Sequence, residues 1–519
     1  MKFVSNAANF PPEDYYDYIV VGGGTAGCPL AATLSHNYSV LLLERGGTPQ
    51  EFPSLTTQEG FLNALTQVDM FESPVQGFTS EDGVPNARGR VLGGSSAINA
   101  GFYSRADNDF FSKSGVNWDL NAANKAYSWV EKNIVFRPKL KDWQSAVRDG
   151  LLEAGIGPYN GFNVEHKTGT KIGGTTFDSS GNRHSAANLL DSSNSDNIKV
   201  AVYACVERIL LAPVSISHSS QPSAVGVVYR DHNGSRHHAM VRSSGEIILS
   251  AGAIGSPQLL LLSGIGPRRH LASIGIPVAH HLPYVGKFMY DNPRNGISVI
   301  PPVPLQSSLI QVVGITKVGA YIEAASNIIR FSPPPHSPFI RVENSPLYVT
   351  IATIMEKIVG PISSGSLRLA SIDVRINPRV RFNYFSNNVD LERCVNGTRK
   401  IAEIMRSRTM NEFKMEDWLG GRRFRFVGAP LPDDEDDFIK MAEFCRQTVS
   451  TIWHYHGGCL VGKVVDGEYR VLGVRGLRVV DGSTLTISPG TNPQALLMMM
   501  GRCYIYFLFN FSCEVYFPV

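Results

Sequence analysis

The spacing of apolar and polar positions divides this chain into two kinds of segment. Near the amino end, Tyr18–Val21 and Val40–Leu43 are short apolar runs without polar interruption, the pattern of strands buried on both faces of a parallel sheet. Thr25–His36 between them has the period of a helix. Further apolar strands are predicted at Ile198–Ala204, Ala224–Tyr229, Glu246–Leu249 and Leu477–Val480, and helices at Ser256–Leu262, Asp390–Arg406 and Asp434–Ser450. In the middle, the Pro/Ser-rich stretches Pro301–Ser308 and Phe331–Pro338 flank Leu347–Met355 and Val374–Phe385, whose alternation predicts an antiparallel sheet with one wet face. No internal repeat of fixed period is present. The pattern predicts an α/β class: a parallel-sheet domain closed by the carboxyl-terminal segment, with a mixed-sheet domain between.

The first of these strands runs into Gly22-Gly23-Gly24-Thr25-Ala26-Gly27, which fits G-x-G-x-x-G, opens a helix, and has Glu44 at the end of the next strand. Gly22 permits the tight turn, Gly24 lets the backbone approach a pyrophosphate, and Gly27 allows close helix–strand packing. The helix amino terminus attracts the phosphates, and Glu44 accepts ribose hydroxyls while repelling a 2′-phosphate. A dinucleotide is implied. The loop alone does not separate NAD from FAD.

Composition narrows the partners. With 519 residues and 43% hydrophobic content the chain can bury more than one core. Forty-eight basic against 45 acidic side chains leave a formal +3, so no nucleic-acid partner is expected. The opening MKFVSNAANFPPEDYYDY lacks the apolar run of a signal peptide, and no segment is expected to span a membrane. Seven cysteines show no CxxC and no clustering with histidine, so no metal is implied.

Two further stretches, Gly89–Ala106 (GRVLGGSSAINAGFYSRA) and Gly252–Gly266 (GAIGSPQLLLLSGIG), resemble the signature patterns of the glucose-methanol-choline (GMC) family of FAD oxidoreductases. With the glycine loop and a carboxyl-terminal histidine segment, the resemblance runs from about residue 13 to 503. Within the family, WHYHGGC and DGS…TNPQA resemble plant HOTHEAD-like proteins, with the (R)-mandelonitrile lyases as near relatives.

The resemblance implies a Rossmann-like FAD-binding domain (GMC fold) made of residues 13–120, 185–295 and 445–505, with a substrate domain on a mixed or antiparallel sheet from 121–184 and 296–444. It implies FAD contacts from Gly22, Gly24, Thr25, Ala26, Gly27 and Glu44; from Val91, Gly94, Ser95 and Asn99; and from Val206, Trp453, His454, Asp481, Gly482, Asn492, Pro493 and Gln494. Physically, Gly93-Gly94-Ser95-Ser96 is a run of small residues against which a planar ring system can lie. Ile98 occupies the position where some members carry a histidine linked to FAD, so a noncovalent flavin is expected. Ser256 and Pro257 read as a cap and first turn of a core helix without chemistry.

The catalytic candidates lie near the carboxyl end. Of the two histidines in Trp453-His454-Tyr455-His456, the family's aromatic-His-x-x-Gly pattern selects His454. Its partner is Asn492, read as the N-cap of a helix with Pro493 in first place and a partial positive charge at its end. Asp481-Gly482-Ser483 is expected beside the ribityl chain. The implied chemistry is oxidation of a small-molecule alcohol to aldehyde or ketone: His454 takes the hydroxyl proton, Asn492 hydrogen-bonds the oxygen, and hydride passes to flavin N5. Resemblance alone suggests a long-chain ω-hydroxy fatty acid; the electron acceptor is not specified.

A second reading is a hydroxynitrile lyase that uses FAD structurally. The lyase pattern places a tyrosine two before the histidine and a second histidine at the partner position, where this chain has Ile452 and Asn492. A hydrolase is excluded, because no G-x-S-x-G follows a strand. The resemblance also implies a Cys394–Cys445 disulfide and a secreted location. Residues 503–519 form an apolar, aromatic tail where relatives continue into an amphipathic helix.

Overall fold

A computed structural model describes residues 1–212, 221–331, 347–418 and 420–509. Most of the expected Phe331–Pro338 stretch and residues 510–519 of the apolar tail lie outside the described residues.

The uninterrupted apolar runs become the centre of a parallel sheet. Glu13–Val21 pairs in parallel with Val40–Leu43 on one side and with Arg236–Leu249 on the other. The order continues outward from Val40–Leu43 through Ile198–Val202 to Val4–Asn6. Beyond Arg236–Leu249 the sheet turns antiparallel through Ser223–Arg230 and Cys205–Ala212, while Leu477–Val479 adds a parallel strand beside Ile247–Leu249. Tyr18–Val21 and Val40–Leu43 are buried throughout, as expected of strands covered on both faces. Gly27–Leu34 covers one of those faces.

The second large sheet is built around a hairpin of Ala320–Phe331 with Leu347–Ile358, flanked by Pro293–Ile300 on one side and Val312–Ile315 on the other. Gly169–Ile172 and Tyr159–Phe162 extend one edge; Arg425–Val427 and Ser450–Thr451 pair with Pro293–Ile300 at the other. Pro293–Ile300 thus crosses the division expected at 295/296.

Strand alternation sorts this sheet's residues by face. Ile297, Val299, Ile322, Ala324, Ala352 and Ile354 point into a core shared with the helices Asp142–Glu153 and Asn388–Arg406. The opposite face, expected to be wet, lines a cavity instead: Arg294, Gly296 and Ser298 sit there beside Thr353 and Met355. Val374–Phe385 does not join this sheet. Only Arg379–Arg381 is a strand, paired with Gly365–Arg368 in a separate four-stranded sheet.

Two helix starts differ from expectation. The helix of the second signature begins at Gly252, not at Ser256, so Ser256 and Pro257 are interior to Gly252–Leu262. The last helix runs Gln494–Phe509, and its first carbonyl bond is Leu497 N–H to Pro493 O at 3.0 Å. Asn492 therefore stands one residue too early to cap it. That helix continues past residue 503, with Cys503 and Tyr504 buried, so the tail begins as core. No helix among the described residues is long and apolar enough to cross a membrane.

Candidate active site

One cavity of about 1200 Å³ runs between the two sheets, from the glycine loop to the wall formed by Met355 and Thr353. This exceeds the roughly 300–1,000 Å³ that suits a drug-sized ligand, leaving room for a dinucleotide and a second small molecule. Gly22, Gly24, Thr25, Ala26, Glu44, Gly94, Ser95, Asn99, Val206, Trp453, His454, Asp481, Gly482, Asn492, Pro493 and Gln494 all line it. Gly27 and Val91 do not line it. A Cβ on Gly27 would meet Gly22 O at 2.0 Å, so its role is the helix–strand contact. Val91 is fully buried in a small apolar cluster with Leu55, Ala87 and Ile98.

The glycine requirement at the cofactor end is steric. Gly22 (φ +106°) presses on Ser250, where a Cβ would lie 2.5 Å from the carbonyl oxygen. Gly94 (φ +57°) faces Gly24, and its Cβ would stand 2.7 Å from Gly24 Cα. Two loops thus pass each other backbone to backbone at the cavity. Glu44 accepts Gly23 N–H at 3.0 Å and Gly46 N–H at 2.8 Å, one on each carboxylate oxygen. Each oxygen keeps a lone pair for a ribose hydroxyl, and burial pushes this carboxyl up from its usual range. A glycine cradle, a helix end and a carboxylate at one end of an elongated cavity fit the dinucleotide that the sequence implies.

Asp481 is tied to the second signature. Its carboxylate accepts from Gly252 N–H (2.9 Å), Ser256 hydroxyl (2.5 Å) and Ser483 N–H (2.7 Å). Ser256, expected to cap a core helix without chemistry, is instead the hydroxyl that orients Asp481 at the cavity. Asn99 donates to Gln494 Oε1 at 2.9 Å, and Gln494 donates to Phe102 O. The two amides join the first signature to the last helix.

The far end holds the expected pair. Asn492 Nδ2 lies 3.4 Å from His454 Nε2, although 38 residues separate them. His456, two residues on, pairs as part of a short strand and stacks on Tyr290 with ring centroids 5.2 Å apart; it does not line the cavity. Burial, and next the charge of Lys357, hold the His454 imidazole well below its usual range, so it is neutral at pH 7.

Three residues that sequence reasoning missed complete this end. Lys357 Nζ is 3.4 Å from His454 Nδ1 and 3.4 Å from Asn492 Oδ1. It lies 3.7 Å from Glu323 Oε1 and 4.3 Å above the Tyr321 ring. Burial pulls Lys357 down to about 8, opposed by the Glu323 charge, and burial pushes Glu323 up. Tyr321 pairs directly with Lys357 across the hairpin, and Glu323 with Met355, so all share the cavity face. Polar residues at i, i+2 in an otherwise apolar strand were the available signal.

The two family models described as GMC oxidoreductase match residues 16–293 and 361–501. The "(R)-mandelonitrile lyase-like" protein of Arabidopsis thaliana is 66% identical over 97% of this chain and 91% of its own length. "Sinalpyl alcohol oxidase Nec3" of Nesocodon mauritianus is 49% identical over 97% and 90%, and "Protein HOTHEAD" of Arabidopsis thaliana 46% identical over 94% and 87%. Among solved structures, Aspergillus oryzae formate oxidase superposes with a TM-score of 0.78 at 20% identity, covering 96% of this chain and 99% of that one. This chain belongs to the GMC oxidoreductase family and is an FAD-dependent oxidoreductase.

Proposed function

We propose that the protein oxidises the CH–OH group of a small primary or secondary alcohol to an aldehyde or ketone. The observation that carries this reading is the neutral, half-buried His454 imidazole on the cavity wall with the Asn492 carboxamide 3.4 Å away. FAD, held noncovalently along the glycine loops and Glu44, would supply the two-electron acceptor. Ile98, which lines the cavity, offers no group for a covalent link.

His454 takes the hydroxyl proton on a ring nitrogen, which a neutral imidazole can do and an imidazolium cannot. Asn492 donates its amide N–H to the same oxygen and fixes its position. Lys357, 3.4 Å from His454, and Arg294, on the cavity wall, bring positive charge to this region, which favours the partial negative charge that grows on that oxygen. The name of the 49%-identical alcohol oxidase supports the reaction class. A long-chain ω-hydroxy fatty acid belongs among the substrates to be tested. The Cys394–Cys445 disulfide supports an oxidising compartment such as the cell exterior.

A second reading, cleavage of a cyanohydrin, is favoured by the name of the 66%-identical relative. Anaerobic mixing of the yellow protein with hydroxy acids, aromatic alcohols and mandelonitrile separates the two. Alcohol-dependent bleaching of the flavin that falls about 10²- to 10⁴-fold in His454→Ala carries the oxidation. Cyanide release without any alcohol-dependent bleaching overturns it.

A further inference from the structure

Arg294 stands on the cavity face of the second sheet with most of its hydrogen-bonding capacity unused. Its Nε donates to Ser450 Oγ at 3.1 Å, and one Nη lies 3.8 Å from the Met355 thioether, a weak acceptor. Among the described residues no carboxylate stands within ion-pair distance of it. Glu323 and Asp291 feel its charge, yet Glu323 faces Lys357 and Asp291 accepts the Tyr384 hydroxyl. A half-buried guanidinium in a fixed fork, short of acceptors, matches the geometry of a carboxylate.

The residue beneath it adds an independent sign of a built site. Trp453 holds φ +59°, a left-handed conformation that a bulky side chain adopts only under constraint. Its N–H is tied to Thr451 Oγ1 at 2.7 Å. The strained backbone presents the indole ring 5.4 Å below the Arg294 guanidinium, where cation–π attraction and stacking hold the fork flat. Both residues line the cavity.

We propose that Arg294, stacked on Trp453, is the binding site for a carboxylate carried by the substrate. Arg294 pairs with Lys357 across neighbouring strands, Lys357 touches His454, and Trp453 immediately precedes His454, so the fork and the candidate base share one region of the cavity. A hydroxy acid satisfies both at once. The assignment rests on the alcohol-oxidation reading and names its substrate class.

The test is binding to the flavin-loaded protein of two probes that share a shape and differ in charge, benzoate and benzamide, followed by flavin absorbance. Benzoate is expected to bind at least about tenfold more tightly, and Arg294→Gln to collapse that ratio towards one, with Arg294→Lys intermediate. Equal binding of the two by the wild-type protein overturns the proposal, as does a ratio that survives Arg294→Gln. If the glutamine variant does not retain flavin, the wild-type ratio and the lysine variant decide alone. Neither probe has a carbinol, so the outcome is independent of turnover. A benzoate preference without alcohol-dependent bleaching removes the oxidation reading and leaves the anion site; bleaching by simple alcohols without that preference does the reverse.

Discussion

Lys357 Nζ stands 3.4 Å from His454 Nδ1, so an ammonium faces one ring nitrogen of the proposed base. Its charge and burial act in the same direction, and both keep the imidazole neutral. If His454 is the base, activity is present above its pKa and fails as pH falls through it. That acid limb lies below pH 6.5, the ordinary histidine value. Lys357→Met removes the charge but leaves the burial, so the limb should move to higher pH without reaching that of a solvated histidine. The check is the pH profile of kcat/KM between pH 4.5 and 9. An unmoved limb would show that Lys357 does not act on His454.

The facing glycines make a steric prediction. Gly94→Ala adds a Cβ 2.7 Å from Gly24 Cα at a φ of +57°, and neither backbone can give way without disturbing the strand–loop–helix turn. The variant should purify with less than about a tenth of the wild-type flavin, since overpacking costs about 1–3 kcal/mol before the strain at positive φ is added. The ratio of visible to ultraviolet absorbance measures this. Normal flavin content would mean that the loops separate more easily than their contact suggests.

Much of this site was legible in the sequence because its physics is local. The glycine loop, Glu44 after the next strand and the small-residue run at Gly93–Ser96 state their backbone needs in consecutive residues. His454 and Asn492 came from resemblance, and the fold supplies the contact between them. Lys357, Glu323 and Arg294 were not legible. Each is one charged residue in a strand, and the alternation that predicts a solvated face cannot say that this face meets a second domain across a cavity. Ser256 was misread for a related reason. A serine before proline looks like a helix start, but the partner that fixes its meaning, Asp481, is 225 residues away.

Glu356 stands one position from Lys357 and faces the opposite way, into the helix-covered core. Both its carboxyl oxygens lack hydrogen-bond partners among the described residues, and burial raises it well above the usual glutamate value. Because the folded pKa is the higher one, the unfolded chain releases this proton first. Stability is fully kept below about pH 4.5 and falls as pH rises towards the folded value. Glu356→Met should therefore raise the melting temperature more at pH 8 than at pH 4.5, by the equivalent of about 1–4 kcal/mol at the higher pH. A gain of the same size at both pH values would contradict the assignment of Glu356 as a buried neutral acid.

The disulfide between Cys394 and Cys445 ties the helix Asn388–Arg406 to Phe438–Thr448, and so fixes the side of the second sheet that does not face the cavity. With the cysteines 51 positions apart in sequence, loop-closure entropy alone would make the bond worth about 4 kcal/mol. Both cysteines are fully buried, so reductant should act slowly on the folded protein and rapidly once it opens. The Cys394→Ala/Cys445→Ala variant should melt at lower temperature while keeping its flavin spectrum, because these helices give the cavity wall only Thr448, the last residue of the second, and the rest of that face is built on the strands. Loss of flavin in parallel with the loss of stability would instead mean that the helices transmit their position through the sheet to His454 and Lys357.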